Sequence, residues 1–197
     1  MTSPTSASSP QLWNVPNILT MLRIVLVPFF IWSFLADSSQ HGVLRWIAFI
    51  LFAVAIYTDQ LDGAIARKRN LITDFGKIAD PIADKLLTGS ALVLLSVLGE
   101  LPWWITVLIL VREWGITALR FVVIRYGVMP ASQGGKLKTV LQTVGILLYL
   151  FPLTPGTPVL SAIAFWIMVL ALAVTVLTGL DYVVKAVRLR ASALRGQ

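Results

Sequence analysis

V-L-R-W-I-A-F-I-L-F-A-V-A-I-Y-T-D-Q-L, residues 43–61, decides the fold class of this chain. An apolar window of about 20 residues is long enough to cross the hydrocarbon core of a bilayer as a helix. Further windows of the same character lie near residues 17–36, 78–99, 102–124, 137–152 and 158–184, the one at 137–152 being short. The 197 residues are 57% hydrophobic with mean hydropathy +0.85, whereas soluble domains hold about 45–50% apolar residues. Unpaired backbone groups are costly in lipid, so the spans must satisfy theirs internally, as helices packed together. The sequence therefore predicts an all-α membrane protein: a bundle of about six transmembrane helices with a polar cleft facing the cytoplasm.

Lys and Arg give the orientation. One set of loops carries Arg67, Lys68, Arg69 and Lys77, then Arg125, Lys136 and Lys138, then Lys185, Arg188, Arg190 and Arg195. The opposite set has only His41 in residues 37–44, Glu100 in 99–102 without a base, and no charge in 151–158. The excess of cations on one side places both termini and the loop after residue 61 in the cytoplasm. The net charge of +7 reads as this topology signal plus attraction to anionic lipid, not as nucleic-acid binding. The absence of cysteine excludes disulfides and thiolate metal sites, leaving oxygen ligands for any metal. Residues 1–16 read as a polar tail followed by an interfacial segment around Trp13, residues 17–185 as the membrane domain, and 186–197 as a basic cytoplasmic tail.

Where the second window meets the cytoplasm the chain reads D-Q-L-D-G-A-I-A-R (59–67), then eight residues, then G-K-I-A-D-P-I-A-D (76–84). Asp59 and Asp62 are three apart and Asp80 and Asp84 four apart, so each pair shares one face of a helix. Gly63 and Gly76 bracket the connection, where a missing side chain permits close approach. Pro81 is expected to open a helical turn. Four carboxylates at the edge of lipid repel one another and lose hydration, which a hard divalent cation relieves. Oxygen-only ligation favours Mg²⁺ or Mn²⁺ over Zn²⁺, and Mg²⁺ commonly joins carboxylates to substrate phosphates. Arg67 is placed to contact a phosphate oxygen, and Thr73 offers a hydroxyl to sugar, base or phosphate. The same acids also fit pairing with Arg67, Lys77 and Lys85, or an ion or proton pathway; four of them in this arrangement favour a functional site.

At these residues the chain resembles the CDP-alcohol phosphatidyltransferase family, whose signature is D-x-x-D-G-x-x-A-R, eight residues, then G-x-x-x-D-x-x-x-D. Asp59, Asp62, Gly63, Ala66, Arg67, Gly76, Asp80 and Asp84 match every fixed position. The resemblance implies transfer of a phosphatidyl-type group from a CDP-linked donor to an alcohol, with release of CMP. It further implies a centre of two divalent ions, Mg²⁺ or Mn²⁺, held by Asp59, Asp62 and Asp80, with Asp84 completing it or acting as general base. A homodimer in a bacterial cell membrane is implied on the same ground. Three stretches, P-N-I-L-T-M-L-R (16–23), V-R-E-W-G-I-T-A-L-R (111–120) and G-K-L-K-T (135–139), look like one branch of the family. That branch transfers the phosphatidyl group of CDP-diacylglycerol to sn-glycerol 3-phosphate; branches that make cardiolipin or use inositol phosphate share much of the pattern.

The donor-binding candidates are Gly63, Arg67, Thr73 and Gly76, joined by Asn17, Thr20 and Arg23, which recur every three residues at the cytoplasmic end of the first span. Those three equally fit capping and interfacial anchoring. For the acceptor phosphate the candidates are Arg112, Arg120, Lys136 and Lys138, since Arg offers a planar fork of donors and Lys a mobile point charge. The two lysines fit a topology signal as well. Arg112 falls midway along the fourth window, so it must face the bundle interior, bound to a ligand or paired. Glu113 beside it is placed to satisfy a base on a neighbouring helix. The Trp residues, Trp103–Trp104 included, read as interface anchors, His41 stands alone, and Gly89, Ser90, Ala91, Gly145 and Gly179 favour close helix packing. An ion-coupled transporter is the reading from another class; it requires inverted halves with helices broken near the midplane.

Overall fold

The computed structural model describes residues 14–37, 40–69, 74–123 and 133–195, with side chains described for 14–15, 17–37, 40–61, 79–119 and 134–188. Among these residues the chain forms helices α1 (Val15–Asp37), α2 (Val43–Arg69), α3 (Asp74–Val97), α4 (Trp103–Val123), α5 (Gln133–Leu150) and α6 (Pro158–Arg195), and no strand.

Local sequence sets the ends. Asn14 caps α1, its Oδ1 accepting the Asn17 N–H at 2.9 Å, which satisfies one of the orphan donors of the first turn. At the other end the Asp37 carboxylate accepts the N–H groups of His41 and Gly42, each at 3.0 Å, tying α1 to the start of α2. α3 stops in a Schellman arrangement: Gly99, at φ 75°, donates to the Ser96 carbonyl at 3.1 Å and Glu100 to that of Leu95 at 2.9 Å. Pro158 occupies the first position of α6, where its missing donor costs nothing. Pro81 does not open a helix as expected; it lies inside α3 between Asp80 and Asp84. Membrane helices tolerate this because neighbouring elements re-satisfy the freed carbonyl.

α1 packs on α2 and α3, and α6 on α5 and α4; contacts of α2 with α5 and of α3 with α4 and α5 close the bundle. Phe30 stacks on Phe34 with centroids 5.9 Å apart and tilts against Phe52 at 5.7 Å, in one buried core with Leu87, Leu95, Ile105, Ile109, Ile146 and Met168. Small residues let backbones approach: a Cβ on Gly145 would lie 3.7 Å from the Met168 Cα. The outer surface is apolar, with Phe29, Trp32, Val111, Trp166 and Leu177 exposed, while Arg23, Arg45, Thr106 and Thr175 are fully buried. That distribution inverts the pattern of a soluble protein. It is what a bilayer selects.

By length and hydropathy α1 (Asn17–Asp37), α2 (Val43–Leu61) and α6 (Pro158–Arg188) qualify as spans among the described residues. α3, α4 and α5 are interrupted by charge: Asp80, Asp84 and Lys85, then Arg112 and Glu113, then Lys136 and Lys138. Buried polar residues lie on all six helices, among them Asn17, Thr20 and Arg23 of α1, Arg45 of α2 and Thr175 of α6, while α1, α2 and α6 carry most of the exposed large hydrophobic side chains. α6 runs on through residues 186–195, and at 1.5 Å per residue its 38 residues measure about 57 Å, well beyond a hydrocarbon core of about 30 Å. α2 and α3 are continuous where the transporter reading requires midplane breaks.

Arg45, which the sequence did not single out, anchors the end of the bundle opposite the aspartates. Its guanidinium makes a two-pronged bond to Glu100, donates to the carbonyls of Leu150 at 3.2 Å and Tyr149 at 2.7 Å, and lies over the Phe34 ring at 4.3 Å. One cation thus joins α1, α2, the α3–α4 turn and the C-terminus of α5. Because Glu100 neutralises it, Arg45 adds no net positive charge to that side.

Candidate active site

The start of α1, the end of α2, the start of α3 and the start of α5 lie at one end of the bundle, and polar side chains converge there. Asn17, Thr20 and Arg23 form one face of α1 and are all buried. Arg23 Nη1 lies 2.6 Å from Asp59 Oδ1 of α2. The Thr20 hydroxyl donates to Asp80 Oδ1 of α3 at 2.5 Å. α1 therefore grips one acid from each half of the aspartate motif, and its every-third-residue spacing, open at first to mere capping, aims Thr20 and Arg23 at them.

A second cluster joins α4, α5 and α6. Glu113 Oε1 accepts from Lys138 Nζ at 2.5 Å and from Arg112 Nη1 at 3.1 Å. Arg112 Nη2 donates to the Thr178 hydroxyl at 2.9 Å, and its Nε is buried with no acceptor among the described residues. Arg112 faces inward as its depth demanded, bonded to Glu113 and Thr178. Lys136 is exposed while Lys138 is buried, as two residues apart on a helix point to nearly opposite faces. Lys85 donates to Thr117 and lies over the Trp114 ring at 4.9 Å, pinning α3 to α4.

Asp84 connects the two clusters. The charges of Asp59, Arg23, Lys138 and Glu113 all act on it. It lines a cavity of about 30 Å³ together with Thr88, Glu113, Lys138, Thr139, Gln142 and Thr143. That is room for about one water with several polar partners. Glu113 and Thr178 are the site residues that sequence reasoning underweighted; the usable signal was a Glu beside a mid-helix Arg, which had to be neutralised by something.

Gly179 makes the Arg112 arrangement possible. A Cβ there would lie 3.1 Å from Arg112 Cγ and 3.2 Å from its Nε. Gly179→Val is expected to push the guanidinium off Thr178 and Glu113 and to cost about 1–3 kcal/mol, the usual range for overpacking. The check is the thermal-unfolding midpoint of the detergent-solubilised protein; a midpoint equal to wild type would show that Arg112 moves aside freely.

Asp62, Gly63, Arg67 and Gly76 belong to α2 and α3, and Arg120 to α4, but their side-chain surroundings lie outside the described residues, as does Thr73 altogether. Among the described residues no three acidic or imidazole side chains stand together as a complete metal-binding group. The donor chemistry nonetheless fits the divalent cations that the resemblance implies. α2 and α3 offer carboxylate oxygens at one end of the bundle, without sulfur or imidazole, which suits hard cations. A cationic group, the Arg23 guanidinium, already sits against Asp59.

Comparison with known proteins points to one family. A protein of Mycobacterium tuberculosis named probable phosphatidylglycerophosphate synthase is 49% identical over 182 residues, covering 92% of this chain and 86% of its own length. A CDP-diacylglycerol–glycerol-3-phosphate 3-phosphatidyltransferase of Bacillus subtilis is 36% identical over 184 residues, covering 87% of this chain and 94% of its own. The Escherichia coli protein of that name is 36% identical over 140 residues, 68% of this chain and 75% of its own. Residues 13–177 match the family described as CDP-alcohol phosphatidyltransferase, a stretch that takes in α1 to α5 and about half of α6, and the chain is a member of that family.

Proposed function

We propose that this chain transfers the phosphatidyl group of CDP-diacylglycerol to sn-glycerol 3-phosphate, giving phosphatidylglycerophosphate and CMP. The observation that carries this reading is the placement of Asp84 in one small cavity with Lys138 and Glu113, between the acids of α2 and α3 and the cations of α4 and α5. The names of the relatives from Mycobacterium tuberculosis and Bacillus subtilis, similar over most of the chain, supply the substrates.

Two divalent ions, Mg²⁺ or Mn²⁺, held by Asp59, Asp62, Asp80 and Asp84, would neutralise the donor's diphosphate. Arg23 and Thr20 hold Asp59 and Asp80 in place for that task, a buried support that fixes the rotamers of the ligating acids. Asn17, Gly63, Arg67, Thr73 and Gly76 serve the cytidine and diphosphate, while the acyl chains stay in lipid against the apolar outer surface. Lys138 and Arg112, with Arg120 and Lys136, hold the acceptor's phosphate. Asp84 takes the proton of the acceptor hydroxyl as its oxygen bonds to the phosphorus bearing diacylglycerol, and the bond from that phosphorus to the CMP oxygen breaks. The site opens to the cytoplasm of a bacterial cell, where both soluble substrate and CMP reside, and the chain works as a homodimer.

The test offers purified protein CDP-diacylglycerol with Mg²⁺ or Mn²⁺ and, separately, glycerol 3-phosphate, phosphatidylglycerol or inositol phosphate, and measures CMP and lipid product. Release of CMP with glycerol 3-phosphate, lost on chelation of the metal, is expected. Preference for phosphatidylglycerol would move the assignment to cardiolipin synthesis, and no CMP with any acceptor would sink the transferase reading.

A further inference from the structure

The acceptor end of the site is closed on itself. One carboxylate oxygen, Glu113 Oε1, holds cations from two helices, Arg112 of α4 and Lys138 of α5. Lys138 is buried, so its ammonium needs a carboxylate nearby for charge balance, and Glu113 is the one bonded to it. The pair shares with Asp84 a cavity of about 30 Å³, room for about one water. A phosphate that binds Lys138 must compete with its bond to Glu113. The Arg112 Nε, buried without an acceptor among the described residues, shows that this network leaves a guanidinium donor unused.

We infer that Glu113 is an internal stand-in for the acceptor's phosphate: it holds Lys138 and Arg112 in register until a phosphate monoester takes them from it. This rests on the reading of the acceptor site given above and adds to it a specificity-determining residue. The exchange follows from charge. A carboxylate carries one negative charge and two acceptor oxygens, a phosphate monoester up to two charges and three terminal oxygens, so the dianion competes for the same pair of cations with an advantage. A neutral polyol brings no charge and leaves the Lys138–Glu113 pair closed, which keeps unphosphorylated alcohols from the Asp84 carboxylate. Once displaced, Glu113 also provides a ready partner for the cations when product leaves.

The test uses full-length protein in detergent and two readouts, calorimetric binding of inorganic phosphate without donor, and steady-state kinetics. In Glu113→Gln and Glu113→Ala the competing anion is gone, so the dissociation constant of inorganic phosphate and the KM for glycerol 3-phosphate should both fall by roughly ten-fold, the scale of one partly buried ion pair. The KM for CDP-diacylglycerol should stay within about two-fold, and Glu113→Asp, which keeps the charge, should stay near wild type in phosphate affinity. Phosphate affinity that is unchanged or weaker in the Gln and Ala variants would overturn the proposal, as would failure of both to fold, which would make Glu113 a structural counter-ion. The phosphate measurement does not involve turnover. If the wild type released no CMP with glycerol 3-phosphate, the transferase reading would fail while the affinity ratio still decided the role of Glu113.

Discussion

CMP release by an Asp84→Asn protein is expected to fall by roughly 10²–10⁴-fold, the contribution of a positioned general base. Asn keeps the size and shape of Asp but neither takes up a proton nor carries charge. The local helix should survive the exchange, because the Thr88 hydroxyl bonds to the backbone carbonyl of residue 84 at 2.7 Å and not to its side chain. The other carboxylate of the cavity, Glu113, is already bonded to Lys138 and Arg112 and is a poor substitute. Binding of CDP-diacylglycerol should be partly retained, since Asp59 and Asp80 keep their own partners on α1. Turnover within about three-fold of wild type would remove Asp84 from the base role.

The largest effect on stability is expected at the opposite end of the bundle. Arg45→Ala removes a fully buried guanidinium and leaves Glu100, whose side chain is only 14% exposed, without its cation. It also strips donors from two carbonyls at the C-terminus of α5, groups that have no intrahelical partner of their own. Breaking such a pair from one side costs about 3–5 kcal/mol, so the unfolding midpoint in detergent should drop by several degrees. Arg45→Met combined with Glu100→Gln should recover part of the loss, because no uncompensated charge then remains. A midpoint unchanged in Arg45→Ala would show that the clasp contributes nothing. The KM values should change little in either variant, as the residues lie toward the opposite end of the bundle from Asp84.

The two predictions draw on opposite kinds of legibility. Asp59, Asp80 and Asp84 were readable as a site because carboxylates at helical spacing beside a lipid-length apolar run have few inexpensive explanations. Six helices and an all-α membrane fold followed from the apolar windows, and the helices formed where those windows lay. Pro81 was misplaced because proline's strong preference for a first turn is a local rule, while a packed membrane helix supplies other partners for the freed carbonyl. Arg45 escaped notice because a lone Arg near the start of a span looks like an interfacial residue; its partners lie 55 residues away at Glu100 and more than 100 residues away at Tyr149 and Leu150.

Distance along the chain divides the rest in the same way. Solvent, helix number, the acidic motif and the set of candidate cations are properties of windows a few tens of residues long, and the sequence carried them unaided. Which cation meets which acid depends on side chains from helices remote in sequence. Folding alone brought Arg23 and Thr20 of α1 to Asp59 and Asp80, sent Lys138 inward and Lys136 outward, and set Glu113 between Lys138 and Arg112. Buried charges in low dielectric must find partners wherever packing brings them, and only the tertiary structure decides which partners those are.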